Sequence, residues 1–169
     1  MKVVFIGHPG SGKTYAASTL AKQLGTKEVD IDDLLHNWVY FVLKRPYRKA
    51  FNKLLDGKTS WIIDGYAGKR MPATVWGEAD YIVYINLPRT ELRQNIYKRY
   101  RLKKSNNESS HGQQLFANIL KNLWQIYILD GSLKKCINNI EHSPCADKLI
   151  ELHSRQELNQ LINKLASGS

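Results

Sequence analysis

The sequence predicts a three-layer α/β fold, a five-stranded parallel sheet with helices on both faces. Short β-branched runs alternate with amphipathic helical stretches, the pattern of a parallel sheet buried on two sides. The first such run leads at once into a glycine-rich turn and then a helix. The chain has 169 residues, 43% hydrophobic and 24% charged, enough for one compact domain with a sizeable core.

Residues 2–6 form a first strand, apolar and β-branched. In 14–24, Ala17, Leu20, Ala21 and Leu24 share one helical face. Residues 28–31 make a short second strand. Residues 34–43 and 47–55 read as two helices parted at Arg45-Pro46, because proline disfavours helix continuation. Asp56-Gly57 is a turn and 61–63 a third strand. A fourth strand, 81–87, is closed by Pro88. Residues 90–102 are a basic helix, and 103–112 a polar surface loop. Leu115, Phe116, Ile119, Leu120, Leu123, Trp124 and Tyr127 form an apolar helical stripe, with Trp124 and Tyr127 expected in the core. Asp130-Gly131 interrupts it, and Ser132 would cap a further helix reaching residue 141. Residues 148–153 are a fifth strand. Ser154 can cap the last helix, with Glu157 at capping-box spacing, and 166–169 are expected to fray.

No apolar run approaches the roughly 18 residues that a membrane helix needs. The amino terminus lacks a signal-peptide pattern. Cys136 and Cys145 have no ligand partners at zinc spacing, so both are expected as reduced thiols in a cytoplasmic protein. The net charge of +10 is uneven. Residues 1–85 carry 12 basic and 8 acidic side chains, 86–112 carry 7 and 2, and 113–169 carry 6 and 5. A concentrated positive field attracts phosphate, on a nucleotide or along a nucleic-acid backbone, and composition does not choose between them.

Gly7-His8-Pro9-Gly10-Ser11-Gly12-Lys13-Thr14 matches G-x-x-x-x-G-K-[ST], after a strand and before a helix, where a phosphate-binding loop must lie. Its backbone amides can cradle phosphate oxygens, aided by the positive end of the helix dipole. Lys13 would reach the β- and γ-phosphates, and Thr14 would offer its hydroxyl to Mg²⁺. Gly7, Pro9, Gly10, Ser11, Gly12, Lys13 and Thr14 are therefore the candidate nucleotide-binding residues, with ATP and Mg²⁺ as cofactors. A GTPase would need Asn-Lys-x-Asp, and neither Asn52-Lys53 nor Asn163-Lys164 supplies the aspartate. No glutamate stands where a hydrolytic base is expected, which favours transfer to an acceptor other than water.

Asp30-Ile31-Asp32-Asp33 follows the second strand, at the carboxyl edge where catalytic side chains gather. Asp32 is the candidate to orient or deprotonate the acceptor, since Asp33 is better placed to cap the next helix. Asp64, at the end of the third strand, is a candidate Mg²⁺ ligand with Thr14. Arg89, Arg93, Lys98, Arg99 and Arg101 decorate the basic helix, where guanidinium groups suit the spread charge of phosphoryl transfer. Arg93 and Arg99 are the catalytic candidates, alongside Lys13 and Asp32. The five histidines show no metal-ligand spacing, and His8 fills a permissive loop position.

The loop at 7–14, the acids at 30–35, Trp61-Ile62-Ile63-Asp64-Gly65-Tyr66, the run 79–85 with Pro88-Arg89, and the terminal 149–158 occur in that order. Together they resemble the P-loop kinases related to adenylate and shikimate kinases, and within them the bacterial DNA topology modulation proteins. The resemblance implies strand order 2-3-1-4-5, an acceptor-binding helical segment at 34–58 and a basic lid at 89–113. Where adenylate kinases carry Phe-Pro-Arg, this chain reads Tyr66-Ala67-Gly68. The expected activity is ATP- and Mg²⁺-dependent phosphoryl transfer to a nucleotide, nucleoside or similar small acceptor, by a monomer or homodimer. The alternatives are a nucleic-acid-associated ATPase or regulator and a polynucleotide 5′-hydroxyl kinase.

Overall fold

The computed structural model describes residues 1–26, 28–30, 49, 51–53, 55–65, 71–105 and 112–168. Five parallel strands, β1 (Lys2–Gly7), β2 (Glu28–Asp30), β3 (Trp61–Asp64), β4 (Tyr81–Ile85) and β5 (Leu149–Leu152), form one sheet in the order β2-β3-β1-β4-β5. That is the predicted order, with β1 at the centre. Around the sheet lie α1 (Lys13–Leu24), α2 (Ala73–Glu78), α3 (Arg89–Ser105), α4 (Gly112–Ile128), α5 (Asp130–Glu141) and α6 (Arg155–Ser167).

Strand alternation divides the core in two. Val3 and Phe5 of β1, Ile62 of β3, and Val83 and Ile85 of β4 pack with Ala16, Ala17 and Leu20 of α1 and Leu158 and Ile162 of α6. The same cluster takes in Leu92 and Ile96 of α3 and Ile119 and Ile126 of α4. The intervening residues Val4, Ile6, Trp61, Ile63, Ile82 and Tyr84 face the other way, against Phe51, Val75 of α2, and Leu133 and Ile137 of α5. Burial on both faces is why the central strands read as continuous apolar runs.

Several expectations need correction. Lys103 to Ser105 continue α3, because unbranched lysines are good helix formers and polarity alone does not mark a loop. Asp130 begins α5, so Asp130-Gly131 does not separate two helices widely. Only Leu129 stands between α4 and α5, and Ser132 lies inside α5 instead of capping it. The carboxyl end does not fray at residue 166, since Ala166 packs on the core and α6 runs to Ser167. Trp124 and Tyr127 are not core residues: they are 69% and 50% exposed, with Phe116 and Leu120 on the same side. Among the described residues of α4, Ile119 and Ile126 are buried against the core, and the apolar stripe is wider than that. The six-residue α2 was not expected, because one buried residue, Val75, gives no readable period.

The helices proposed at 34–43 and 47–55 fall mostly outside the described residues, as does the loop core at 106–111. Both cysteines are free. Among the described residues no helix is long and apolar enough to cross a membrane.

The capping box forms as expected. Glu157 donates its amide to Ser154 Oγ at 3.2 Å, and the His153 amide donates to Glu157 Oε2 at 2.8 Å. These bonds, that from His153 first, hold the Glu157 carboxyl below its usual range. Ser154→Ala should therefore destabilise the fold by about 1 kcal/mol, a fall in Tm of about 2–4 °C, read by thermal unfolding. Because the folded Glu157 value is depressed, its contribution is present above the ordinary glutamate pKa and lost as pH falls through the folded value. Glu157→Gln should thus cost stability at neutral pH and cost none in strong acid.

Candidate functional site

Seven of the candidate residues, Gly7, Pro9, Gly10, Ser11, Gly12, Lys13 and Thr14, run from the last residue of β1 into the first turn of α1, at the carboxyl edge of the central strand. The connection is tightly held. Gly7 has φ +154°, and a Cβ there would stand 2.7 Å from the Ile85 carbonyl of β4. Gly10 has φ +82°, and its Cβ would stand 2.6 Å from the Leu92 carbonyl and 3.1 Å from Ile96 of α3. Any side chain at Gly10 would strain the backbone and push the loop off that helix. Asn95 adds a positive tie, donating Nδ2–H to the Gly10 carbonyl at 2.8 Å.

Within the loop, the Ser11 amide donates to the His8 carbonyl at 3.2 Å, and Lys13 Nζ donates to the same oxygen at 3.0 Å. Lys13 is therefore folded back over its own loop. Ser11 Oγ is buried with no hydrogen-bond partner. A buried hydroxyl without a partner is costly, and here it lies in a glycine cradle at a helix amino terminus, the setting that receives an anion. The residues present thus fit a bound phosphate chain. Thr14 is exposed at the start of α1.

Asp64 is 2% exposed at the end of β3, in register with Phe5 of β1 and Asp30 of β2. Strand alternation puts it on the same sheet face as Ile62, the face that α1 covers. Arg93 and Arg99 are exposed on α3. The first turn of that helix rests on Gly10, and Arg99 stands well along it from the loop. Asp32 lies outside the described residues. Among the described residues, no three His, Cys, Asp or Glu side chains gather as a metal cage.

Sequence reasoning missed the network around Asp130. Its carboxylate meets His8 Nε2 at 3.3 Å, Arg89 at 3.1 Å and Lys134 at 3.0 Å. One carboxylate at the head of α5 therefore grips the glycine loop and the start of α3 together. Arg89 also lies over the Tyr127 ring, 5.2 Å from its centre, which ties in the end of α4. Burial works against charge on Asp130, but Lys134, Arg89 and His8 outweigh it and keep the carboxyl below its usual value. Burial lowers the His8 pKa below its ordinary 6.5 although Asp130 supports the proton, so the ring is neutral at pH 7. Burial, with Glu151 and Asp130 nearby, pushes the Tyr84 phenol up to about 12. No sequence signal joins His8 to Asp130 across 122 positions, and Asn95 is one polar residue among many on α3.

No protein-family model matches the chain, and no curated protein matches it. Among solved structures it is similar to an unliganded sugar kinase from Janibacter sp. HTCC2649, at 20% identity and a TM-score of 0.56, over 98% of this chain and 92% of that one. It is also similar to a gluconokinase from Sinorhizobium meliloti 1021, at 15% identity and a TM-score of 0.52, over 99% of this chain and 90% of that one. The fold is the P-loop kinase fold. It places the glycine loop where β1 ends and α1 begins, beneath α3 and α5.

Gly10→Ala should cost about 1–3 kcal/mol of stability, measured by urea unfolding, since both φ and the Leu92 contact oppose it. His8 supplies a pH signature. Its folded pKa lies below the unfolded one, so its contribution is present above 6.5 and is lost as pH falls from there through the folded value. In Asp130→Asn the ring loses the group that supports its proton, and the loss should reach further into acid. Unfolding midpoints between about pH 7.5 and 5 read this, and coincident profiles for wild type and variant would refute it.

Proposed function

We propose that the chain transfers the terminal phosphoryl group of ATP to a small acceptor, a nucleotide, nucleoside or similar molecule bearing a hydroxyl or phosphate. One observation carries the reading: the glycine loop, closed against α3 so tightly that Gly10 has no room for a Cβ, with Lys13 at its end and a partnerless buried Ser11 hydroxyl inside it. Two kinases share the fold, and the motifs and charge of the chain agree with them. The closer resemblance, to bacterial DNA topology modulation proteins, rests on the sequence motifs alone.

In this reading the loop amides and Lys13 bind the phosphates. Lys13 exchanges the His8 carbonyl, its present acceptor, for oxygens of the β- and γ-phosphates. Thr14 and Asp64 would hold Mg²⁺, which when bound neutralises charge on the phosphate chain. Asp32 orients the acceptor and takes its proton. The new bond forms between the acceptor oxygen and the γ-phosphorus, the bond from that phosphorus to the bridging oxygen breaks, and ADP leaves with the electron pair. Arg93 and Arg99 neutralise the charge spread over the group in flight. The neutral His8, pinned by Asp130, keeps the loop backbone in position without adding charge of its own.

The test is ADP release from ATP and Mg²⁺ with nucleosides, nucleotides, small alcohols and 5′-hydroxyl oligonucleotides. One acceptor class should stimulate release and carry the phosphate. Stimulation by nucleic acid with no phosphate transferred to it would replace this reading with that of a nucleic-acid-associated ATPase. Lys13→Ala should lower turnover by about a hundredfold or more while its circular dichroism at working temperature stays that of the wild type. Retained turnover would remove the loop from the mechanism.

A further inference from the structure

A cavity opens between α2 and α5, on the sheet face opposite α1. It is about 380 Å³ in volume and lined by none of the phosphate-loop residues. That volume falls within the roughly 300–1,000 Å³ of small-molecule pockets. Its lining combines an indole with sulfur: Trp76 stands with Met71, Cys136 and Cys145. Thioether and thiol sulfur make favourable contacts with the edges of aromatic rings, and an indole offers a flat apolar surface to stack on. Burial pushes the Cys136 thiol up, so it remains protonated and behaves as a small apolar group.

The rest of the lining is polar on one side. Ser132, Lys135 and Asn139 are three and four residues apart on α5, so they share a face of that helix, and all three line the cavity. Among the described residues the side chains of these three make no hydrogen bond or ion pair. Their neighbours differ: Lys134 is engaged with Asp130, and the Ser143 hydroxyl donates to the Ile140 carbonyl and accepts from the Cys145 amide. No Asp or Glu is among the described residues that line the cavity, which leaves Lys135 as its sole charge there.

We propose that this cavity binds a small aromatic monoanion, with the ring on the Trp76 and sulfur surface and the anionic group toward Lys135 and Asn139. The inference stands apart from the reading of the phosphate loop, and its test needs no turnover.

Three probes share one ring and differ in charge: benzoate, benzyl alcohol and benzylamine. Binding to the whole chain is followed by saturation-transfer NMR and by the rate at which Cys136 and Cys145 react with a thiol reagent. Benzoate should bind best, by up to about fivefold over the other two as befits an exposed ion contact, and should slow the thiol reaction. Lys135→Glu alters an exposed side chain and should keep the fold while reversing the order of benzoate and benzylamine. Trp76→Ala should weaken all three probes, and Trp124→Ala on α4 should change none of this. The proposal is overturned if no probe binds at millimolar concentration, if the three bind alike, or if benzoate still leads in Lys135→Glu. Binding of benzoate without protection of the thiols would overturn it as well.

Discussion

The close approach of the β1–α1 backbone to its neighbours is the constraint on which the carboxyl edge of the sheet depends. With 2.6 Å between an imagined Gly10 Cβ and the Leu92 carbonyl, the loop cannot be displaced without moving α3, nor α3 without moving the loop. Phe5 and Ile6 are fully buried just before the loop begins, so its point of departure is fixed as well. A phosphate site made of backbone amides needs this rigidity, because its donors have no side-chain freedom with which to adjust. The glycines thus serve two ends at once, since the chain must both turn and lie flat against a helix.

Asp130 adds an electrostatic constraint to the steric one. A half-buried carboxylate needs partners to hold its charge, and it finds three, each from a different part of the chain. Because one of these is the loop histidine and another begins α3, the ordering of α5 is linked to that of the glycine loop. The pairing also explains how a histidine sits buried inside the glycine loop. Burial withholds the proton and Asp130 fixes the ring, so His8 adds no positive charge beside Lys13 at neutral pH.

Much of the fold was legible in the sequence because the central strands are buried on both faces and therefore read as unbroken apolar runs. The glycine loop was legible because backbone chemistry dictates its residue types. The Ser154 capping box was legible because its partners are three residues apart. What escaped depends on distance in space. His8 and Asp130 have no signature at their separation, and Asn95 is recognisable only once Gly10 lies beside it. The direction of α4 was misread for a related reason. Periodicity shows that a helix has an apolar side, but the width of the side that its neighbours cover is set by packing. Polarity misled in a like way at Lys103 to Ser105, which read as loop and are helix. Asp32 and most of 34–58 lie outside the described residues, so the acceptor half of the site rests on sequence reasoning.

The outward side of α4 bears on how copies of this protein behave toward one another. Phe116, Leu120 and Trp124 each expose more than half of their surface, an adhesive strip on an otherwise charged molecule. What keeps such strips apart in dilute buffer is the net charge of +10, which surrounds every molecule with a repelling field. That field fades beyond about 10 Å at 0.1 M salt and about 3 Å at 1 M. Colloidal stability should therefore decline as ionic strength rises, the reverse of simple salting-in, with the basic α3 helix acting as the solubility guard of its apolar neighbour.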